Sequence, residues 1–501
     1  MMKRFIKNAE RGQAIVIVAL AMVGLIGIVG LMTDGGMLLI EYGKLKRGID
    51  SASIAAASQF RRNFSGSDLY NAASEFLILN QSDAANIIVF RCRRDPNSGV
   101  LESTTDGTQH DEELCTTPRR KLLRVQATRT ITFGFMRVLG INSTTITASS
   151  VGEAASIDLV LVIDTSASMS YQTGGNANFP DSPLDDPSVC NTSVANPCEP
   201  MDGIKDVARA FVQGDFLFFP YDRVAVVAMT GQGANATRDT VTVLHLSDSE
   251  DEVVTAIDDL TVFQPPECVP GQTPLEHPPG GVEASPIAGP CLNYNSTTGL
   301  FQGLECPYYR FGPDLIPGTA DDTVFDISSC NSSNIGGGFR RAAAEFSIEP
   351  IREDSFWAVI ALAGGPANAT DSFPGHDFGF CPPATWNDPA VPFCRDALVS
   401  TRHSDGNPSY DADDYARDMA DFLTDPIDGQ GVTVFTIGLG SLVQNASRGD
   451  PDAGEQLLIY SAETAGGTSA NHGFYRYAND ISILDEIFAE IGSNIFTRLS
   501  Q

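Results

Sequence analysis

Lysine all but disappears from this sequence after residue 62, where only Lys121 and Lys205 remain. Residues 1–62 hold nine Lys/Arg and four Asp/Glu, a balance of +5, so the rest of the chain carries -36 of the total of -31. So acidic a surface repels phosphate backbones and argues against nucleic-acid partners. No CxxC pair occurs, which speaks against zinc ribbons and dithiol redox chemistry. P-loop, GxGxxG, GxSxG and HExxH patterns are missing as well, and His110, His245, His277, His376, His403 and His472 fall in no triad motif. The expected chemistry is recognition, not turnover, and the chain is not expected to be an enzyme.

What is present starts with ten cysteines, all beyond residue 90 and mostly in Pro/Gly-rich stretches. An even count in such positions points to disulfides and an oxidising compartment. Cys92–Cys115, Cys190–Cys198 and Cys381–Cys394 are the natural local pairs. Cys268, Cys291, Cys306 and Cys330 are left with three connectivities.

Residues 14–32, AIVIVALAMVGLIGIVGLM, contain no charged side chain. At about 1.5 Å per residue such a helix approaches the hydrocarbon thickness of a bilayer. The following TDGG is a poor cleavage site, so an uncleaved single-pass span over 14–33 with a tail at 1–13 is expected. Basic residues flank both ends, and the cysteines decide the orientation: amino terminus cytoplasmic, large acidic part outside the cytoplasm at the cell membrane. Leu38, Tyr42, Leu45, Ile49, Ala52 and Ala56 then form one apolar stripe at helical spacing, predicting a helix that continues beyond the lipid.

RGQAIVIVALAM followed by DGGMLLIEYGKLKRGIDSASIAAAS resembles the amino terminus of TadE/TadG-like (Flp-type) pilus-assembly proteins. Residues 122–154 are similar to the β-rich end of the same region, giving a stalk over 34–154. The resemblance implies a Gly-Gln-Ala entry, an Asp-x-Gly exit and pilus-assembly partners. It departs at Ile17, where prepilin-type processing after Gly12 would require Glu.

From residue 157 apolar strands alternate with amphipathic helices, the pattern of an α/β, doubly wound parallel sheet. The strands are expected at 157–163, 223–229, 242–246, 356–363, 432–440 and 473–478. Helices are expected near 201–213, 249–260, 335–347, 410–424, 454–465 and 480–498. Stretches 171–200, 263–333 and 366–409 are too long for ordinary connections and are expected to be crosslinked insertions.

DTSASM after a buried strand, NIGGGFRRA opening a helix, a late VFTIGLG strand and a closing helix after YANDISILDEIF together resemble the von Willebrand factor type A (vWA) domain, over about 156–498. The resemblance implies a metal-ion-dependent adhesion site in which Asp164, Ser166, Ser168 and Ser333 hold Mg²⁺ or Ca²⁺ and a protein partner supplies a further carboxylate. Such oxygen donors suit a hard cation. Ser333 stands where the family often has Thr. Gly364 stands where it typically has Asp, so one carboxylate is missing, with Asn368 retained and Asp371 a candidate to compensate. Two readings stay open: a weakened cation site, or a vestigial one whose side chains hydrogen-bond the loops. Two functions follow in parallel: an anchored interaction protein of pilus assembly or adhesion, and a free-standing surface adhesin or structural protein without metal or pili.

Overall fold

The computed structural model describes residues 6–499 except 96–97, 103–105, 171–184, 235–238, 269–290, 306–307, 311–322, 326–332, 372–411 and 446–451. The chain divides into two compact units, Met1–Ala155 and Ser156–Gln501.

The first unit is built on one helix, α1 (Ile6–Ser58), 53 residues long. Residues 13–29 are exposed along their whole length, and one helical segment is long and apolar enough to cross a membrane. Beyond it the stripe turns inward: Leu45, Ile49, Ala52 and Ala56 are fully buried, while Tyr42 stays 41% exposed. The stripe is thus core at its far end and surface near the apolar segment. It packs on α2 (Gly66–Leu79) and on a four-stranded sheet of β1 (Ala85–Arg91), β2 (Gln109–His110), β3 (Lys121–Thr132) and β4 (Ser143–Ala154), in order β2-β1-β3-β4. The expected β-rich ending is the long β3–β4 hairpin, in register from Lys121↔Ala154 to Thr132↔Ser143.

Small residues let the helix and sheet meet. A Cβ on Gly152 of β4 would lie 2.3 Å from the Ser53 carbonyl oxygen of α1, a backbone atom that cannot swing aside. Gly152→Val should therefore push the two apart at a cost of about 1–3 kcal/mol. Hydrogen exchange on the detergent-solubilised full chain should show β4 amides exchanging about tenfold faster or more; unchanged rates would contradict the close-packing account.

In the second unit β5 (Ile157–Ile163) is the central strand. Around it stand β6 (Arg223–Ala228), β7 (Val241–Ser247), β8 (Phe356–Ala363), β9 (Thr433–Leu439) and β10 (Tyr475–Ala478), in order β10-β9-β8-β5-β6-β7. Every neighbouring pair is parallel except β6–β7. The expected α/β sheet is present, with β5 and β8 at the predicted bounds.

The apolar run of β5 is unbroken apart from Asp158 because both faces are covered, as parallel strands require. Leu159, Leu161 and Ile163 pack against α3 (Met201–Gln213), α4 (Glu250–Asp258) and α8 (Leu484–Leu499). Val160 and Val162 pack against α5 (Ile335–Glu345), α6 (Ala412–Thr424) and α7 (Ala453–Glu463). The last helix begins later than expected, because residues 481–483 form a 3-10 turn capped by Asp480.

Among the described residues three disulfides are formed: Cys92–Cys115, Cys190–Cys198 and Cys268–Cys291. The first two are the expected local pairs, and the third selects one of the connectivities left open. Cys306, Cys330, Cys381 and Cys394 lie outside the described residues, as do residues 171–184 of the first expected insertion and most of the other two.

Candidate functional site

Ligand sites in open α/β sheets form beyond the carboxyl ends of the strands, where the connection order reverses. β5 lies beside β8 and β6 at that reversal, and the residue after it is Asp164. Asp164 N–H still donates to Leu362 O at 2.9 Å, so the carboxylate is held by the ladder. The next residues form a 3-10 turn, Ala167–Ser170, pinned by Met169, which is fully buried. Thr165 Oγ1 donates to Thr230 O at 2.8 Å, tying the turn to the end of β6.

These constraints bring the four expected ligand residues together, all fully buried. Ser333 Oγ donates to Asp164 Oδ2 at 3.0 Å and lies 3.4 Å from Ser166 Oγ. Ser166 and Ser168 hydroxyls are 2.9 Å apart. Adjacent oxygens around an octahedral ion with bonds of about 2.0–2.1 Å sit about 3 Å apart, so this spacing fits a small hard cation. The donor set, one carboxylate and three hydroxyls, is also of the right chemical kind.

At the third loop Gly364 contributes no carboxylate; its N–H donates to Asp164 Oδ2 at 2.9 Å, while Ser166 N–H donates to Oδ1 at 2.9 Å. Burial pushes the Asp164 carboxyl above the ordinary range, and the Gly364 and Ser166 N–H groups and the two serine hydroxyls only partly oppose it. An ionised Asp164 is therefore costly unless a positive charge stands near it.

Asp371 does not replace the missing carboxylate. Its Oδ1 accepts from Thr240 N–H at 2.8 Å and from Asn334 Nδ2 at 3.0 Å, and its Oδ2 pairs with the Arg340 guanidinium at 2.5 Å. Oδ1 thus braces neighbouring loops, while Oδ2 is buried and has the Arg340 charge beside it but makes no hydrogen bond among the described residues. Asn368 has a different role: its Oδ1 accepts from Ser333 N–H at 2.8 Å and its own N–H donates to Ser333 O at 3.2 Å, so it positions Ser333. Its Nδ2 is buried with no hydrogen-bond partner among the described residues. Only its survival in a familiar loop pattern marked Asn368 in the sequence; nothing there assigned it this task.

The triple glycine 336–338 does not form an anion cradle. Gly337 N–H is capped by Asn334 Oδ1 at 2.9 Å. A Cβ on Gly338 would come within 2.7 Å of Val162 Cγ1, and one on Gly336 within 2.4 Å of the Tyr415 ring. These glycines let α5 lie close on the sheet and on α6, which keeps Ser333 near Asp164. Among the described residues, His110, Glu112 and Cys115 also gather metal-type atoms, but Cys115 Sγ is bonded to Cys92.

Residues 12–59 match the family model described as putative Flp pilus-assembly TadE/G-like. No curated relative matches the chain. Among solved structures, proximal thread matrix protein 1 from the mussel byssus shares 13% identity, over 68% of this chain and 47% of that one, with a TM-score of 0.31. This chain thus spans about half of that protein's length. The vWF domain of the type V pili tip protein Mfa5 from Porphyromonas gingivalis shares 13%, over 70% and 97%, with a TM-score of 0.33. The PilB minor pilin from Streptococcus sanguinis shares 13%, over 81% and 84%, also at 0.33. The doubly wound architecture stands on its own strand order and register.

Proposed function

We propose that the protein is a single-pass, membrane-anchored component of pilus assembly or surface adhesion, which holds its α/β unit outside the cytoplasm and recognises a protein partner there. The match of residues 12–59 to a pilus-assembly family, on a helix whose first half is exposed and apolar, carries this reading. Three disulfides support the extracytoplasmic placement. The amino-terminal tail 1–13 is then cytoplasmic, residues 14–33 cross the bilayer, 34–154 form the stalk and 156–498 the recognition domain.

Asp164, Ser166, Ser168 and Ser333 would hold Mg²⁺ or Ca²⁺ at the strand ends. A bound cation supplies a positive charge to which a partner's carboxylate can be ligated. The protein's share is to hold three hydroxyls and one carboxylate at suitable spacing and to keep Asp164 in a site where charge is unscreened. No residue in this arrangement is asked to transfer a proton or attack a bond, so the role is binding.

One observation favours the metal-free alternative: both Asp164 oxygens already accept hydrogen bonds from Ser166, Ser333 and Gly364. In that case the cluster shapes the loop surface and the anchored protein recognises its partner without an ion.

Crosslinking in intact cells, followed by affinity capture through a tag after Gln501, tests the pilus reading. Pilus-assembly components should co-purify, and a reporter fused after Gln501 should be active only outside the cytoplasm. Capture without any pilus component would favour the free-standing adhesin, and a cytoplasmic reporter would refute the topology.

A further inference from the structure

The turn joining β3 to β4, residues 133–142, reads FGFMRVLGIN: six large apolar side chains, one arginine and no acid, in a chain that is otherwise strongly acidic. Apolar turn tips are unusual, since turns normally carry polar residues and small breakers. Here Phe135 is 47% exposed, Val138 87% and Ile141 44%. Nothing else among the described residues of this unit covers them.

The place of this turn along α1 is fixed by two contacts. Asp34, two residues past the end of the apolar run, accepts from the N–H groups of Gly134 and Phe135 at 2.9 Å each and of Met136 at 2.7 Å. Phe135 sits so close to Gly30 that a Cβ there would fall 2.7 Å from Phe135 Cβ. Gly30 lies two residues inside the end of the apolar run at Met32 and three inside the expected span's end at 33, a depth of about 3–5 Å along a helix. The tip therefore stands level with the last turn of the apolar segment, continuous with its exposed surface.

We propose that the 133–142 turn is a second membrane contact, inserting Phe135, Val138 and Ile141 into the outer edge of the bilayer beside α1. This rests on the anchoring of α1 proposed above. A depth of about 5–10 Å at the boundary between headgroups and acyl chains is where shallow apolar and aromatic insertions sit. Arg137 can lay its stem along the apolar tip and present its guanidinium to lipid phosphate. The lack of acidic residues in the turn fits an anionic surface, which would repel the rest of the protein. Two attachment points in place of one would hold the stalk at a set angle to the membrane, and Asp34 is the latch between them.

The test uses the full-length protein in phosphatidylcholine/phosphatidylglycerol vesicles, with lipids brominated either near the headgroup or near the chain end. Val138→Trp reports the tip, Val23→Trp the middle of the span, and Val100→Trp, in the loop after β1 at the other end of the sheet, the aqueous reference. Emission of the parent protein, from Trp357 and Trp386, is subtracted. We expect Val23→Trp to be quenched best by deep bromines. Val138→Trp should lose about half or more of its signal to shallow bromines, and Val100→Trp should be unaffected. If Val23→Trp is quenched but Val138→Trp is not and acrylamide reaches it, the tip is in water and the proposal falls while the anchor stands. If Val138→Trp is shielded from both quenchers, a protein covers the tip and the proposal also falls. If Val23→Trp escapes quenching, the anchor itself fails, and the second contact with it.

Discussion

Asp158→Ala should unfold the α/β unit more readily than any surface substitution, lowering its stability by about 3–5 kcal/mol. Asp158 is the second residue of β5, at the start of that inner strand, and is fully buried. Its two oxygens hold two guanidinium groups at once. Arg223 donates from Nε to Oδ1 at 2.9 Å and from a terminal nitrogen to Oδ2 at 2.7 Å. Arg352 donates to Oδ1 through a terminal nitrogen and to Oδ2 through Nε, and it also reaches Tyr221 O at 2.7 Å and Ile157 O. Arg223 reaches Pro350 O as well, at 3.0 Å. The triad thus ties the starts of β5 and β6 to the segment leading into β8.

Removing the carboxylate leaves two arginine side chains, 8% and 7% exposed, with no other ion-pair partner among the described residues. That stranded charge, more than the lost attraction, makes the substitution severe. Chemical denaturation of the full chain, followed by the fluorescence of Trp357 on β8, should show the midpoint falling sharply. Asp158→Asn should be nearly as damaging, because the amide keeps the volume and loses the charge. A loss below about 1 kcal/mol would mean that the arginines find water when released.

The sheet was legible because its inner strands are buried on both faces. Runs such as FWAVIALA and VTVFTIGLG have no polar alternation, and amphipathic helices separate them. The strand-end cluster was legible for a related reason: oxygens at Asp164, Ser166 and Ser168 right after an apolar run have no place in a core. Asp158 was visible as the one carboxylate inside that run, yet its partners lie 65 and 194 residues away, and no local pattern connects them. Asp34 stands in the sequence as part of an Asp-x-Gly exit, but its task depends on a turn 100 residues later. Asp371 shows the converse case. Its place next to the third loop made it a plausible ligand, while in the fold Arg340 and Asn334 claim it. Long-range pairing decides these cases, and a single sequence does not display it.

The same asymmetry governs cation binding, where Asp164→Ala should remove saturable Mg²⁺ or Mn²⁺ binding from the full-length protein. Asp164 is the only carboxylate among the four gathered residues, and three neutral hydroxyls alone do not hold a divalent ion against its hydration. Binding by the unaltered chain should be weak for the same reason, saturating only at millimolar ion, a range typical of poorly charged sites. Gly364→Asp should strengthen it, since a second carboxylate would stand at the loop that now offers only an N–H to Asp164 Oδ2. A gain of about tenfold corresponds to 1.4 kcal/mol, a modest part of the attraction between unit charges a few ångströms apart in a partly buried site. Isothermal titration of the three proteins, with Asp34→Ala as a substitution in the other unit, separates the two readings of the cluster. Saturable heat in the parent, lost with Asp164 and increased by Gly364→Asp, establishes a weakened cation site. No heat in the parent together with saturable heat in Gly364→Asp would identify a vestigial site whose missing element is that one carboxylate. No heat in any of them would leave the hydroxyls as hydrogen-bonding braces, and partner recognition would then depend on the loop surface alone.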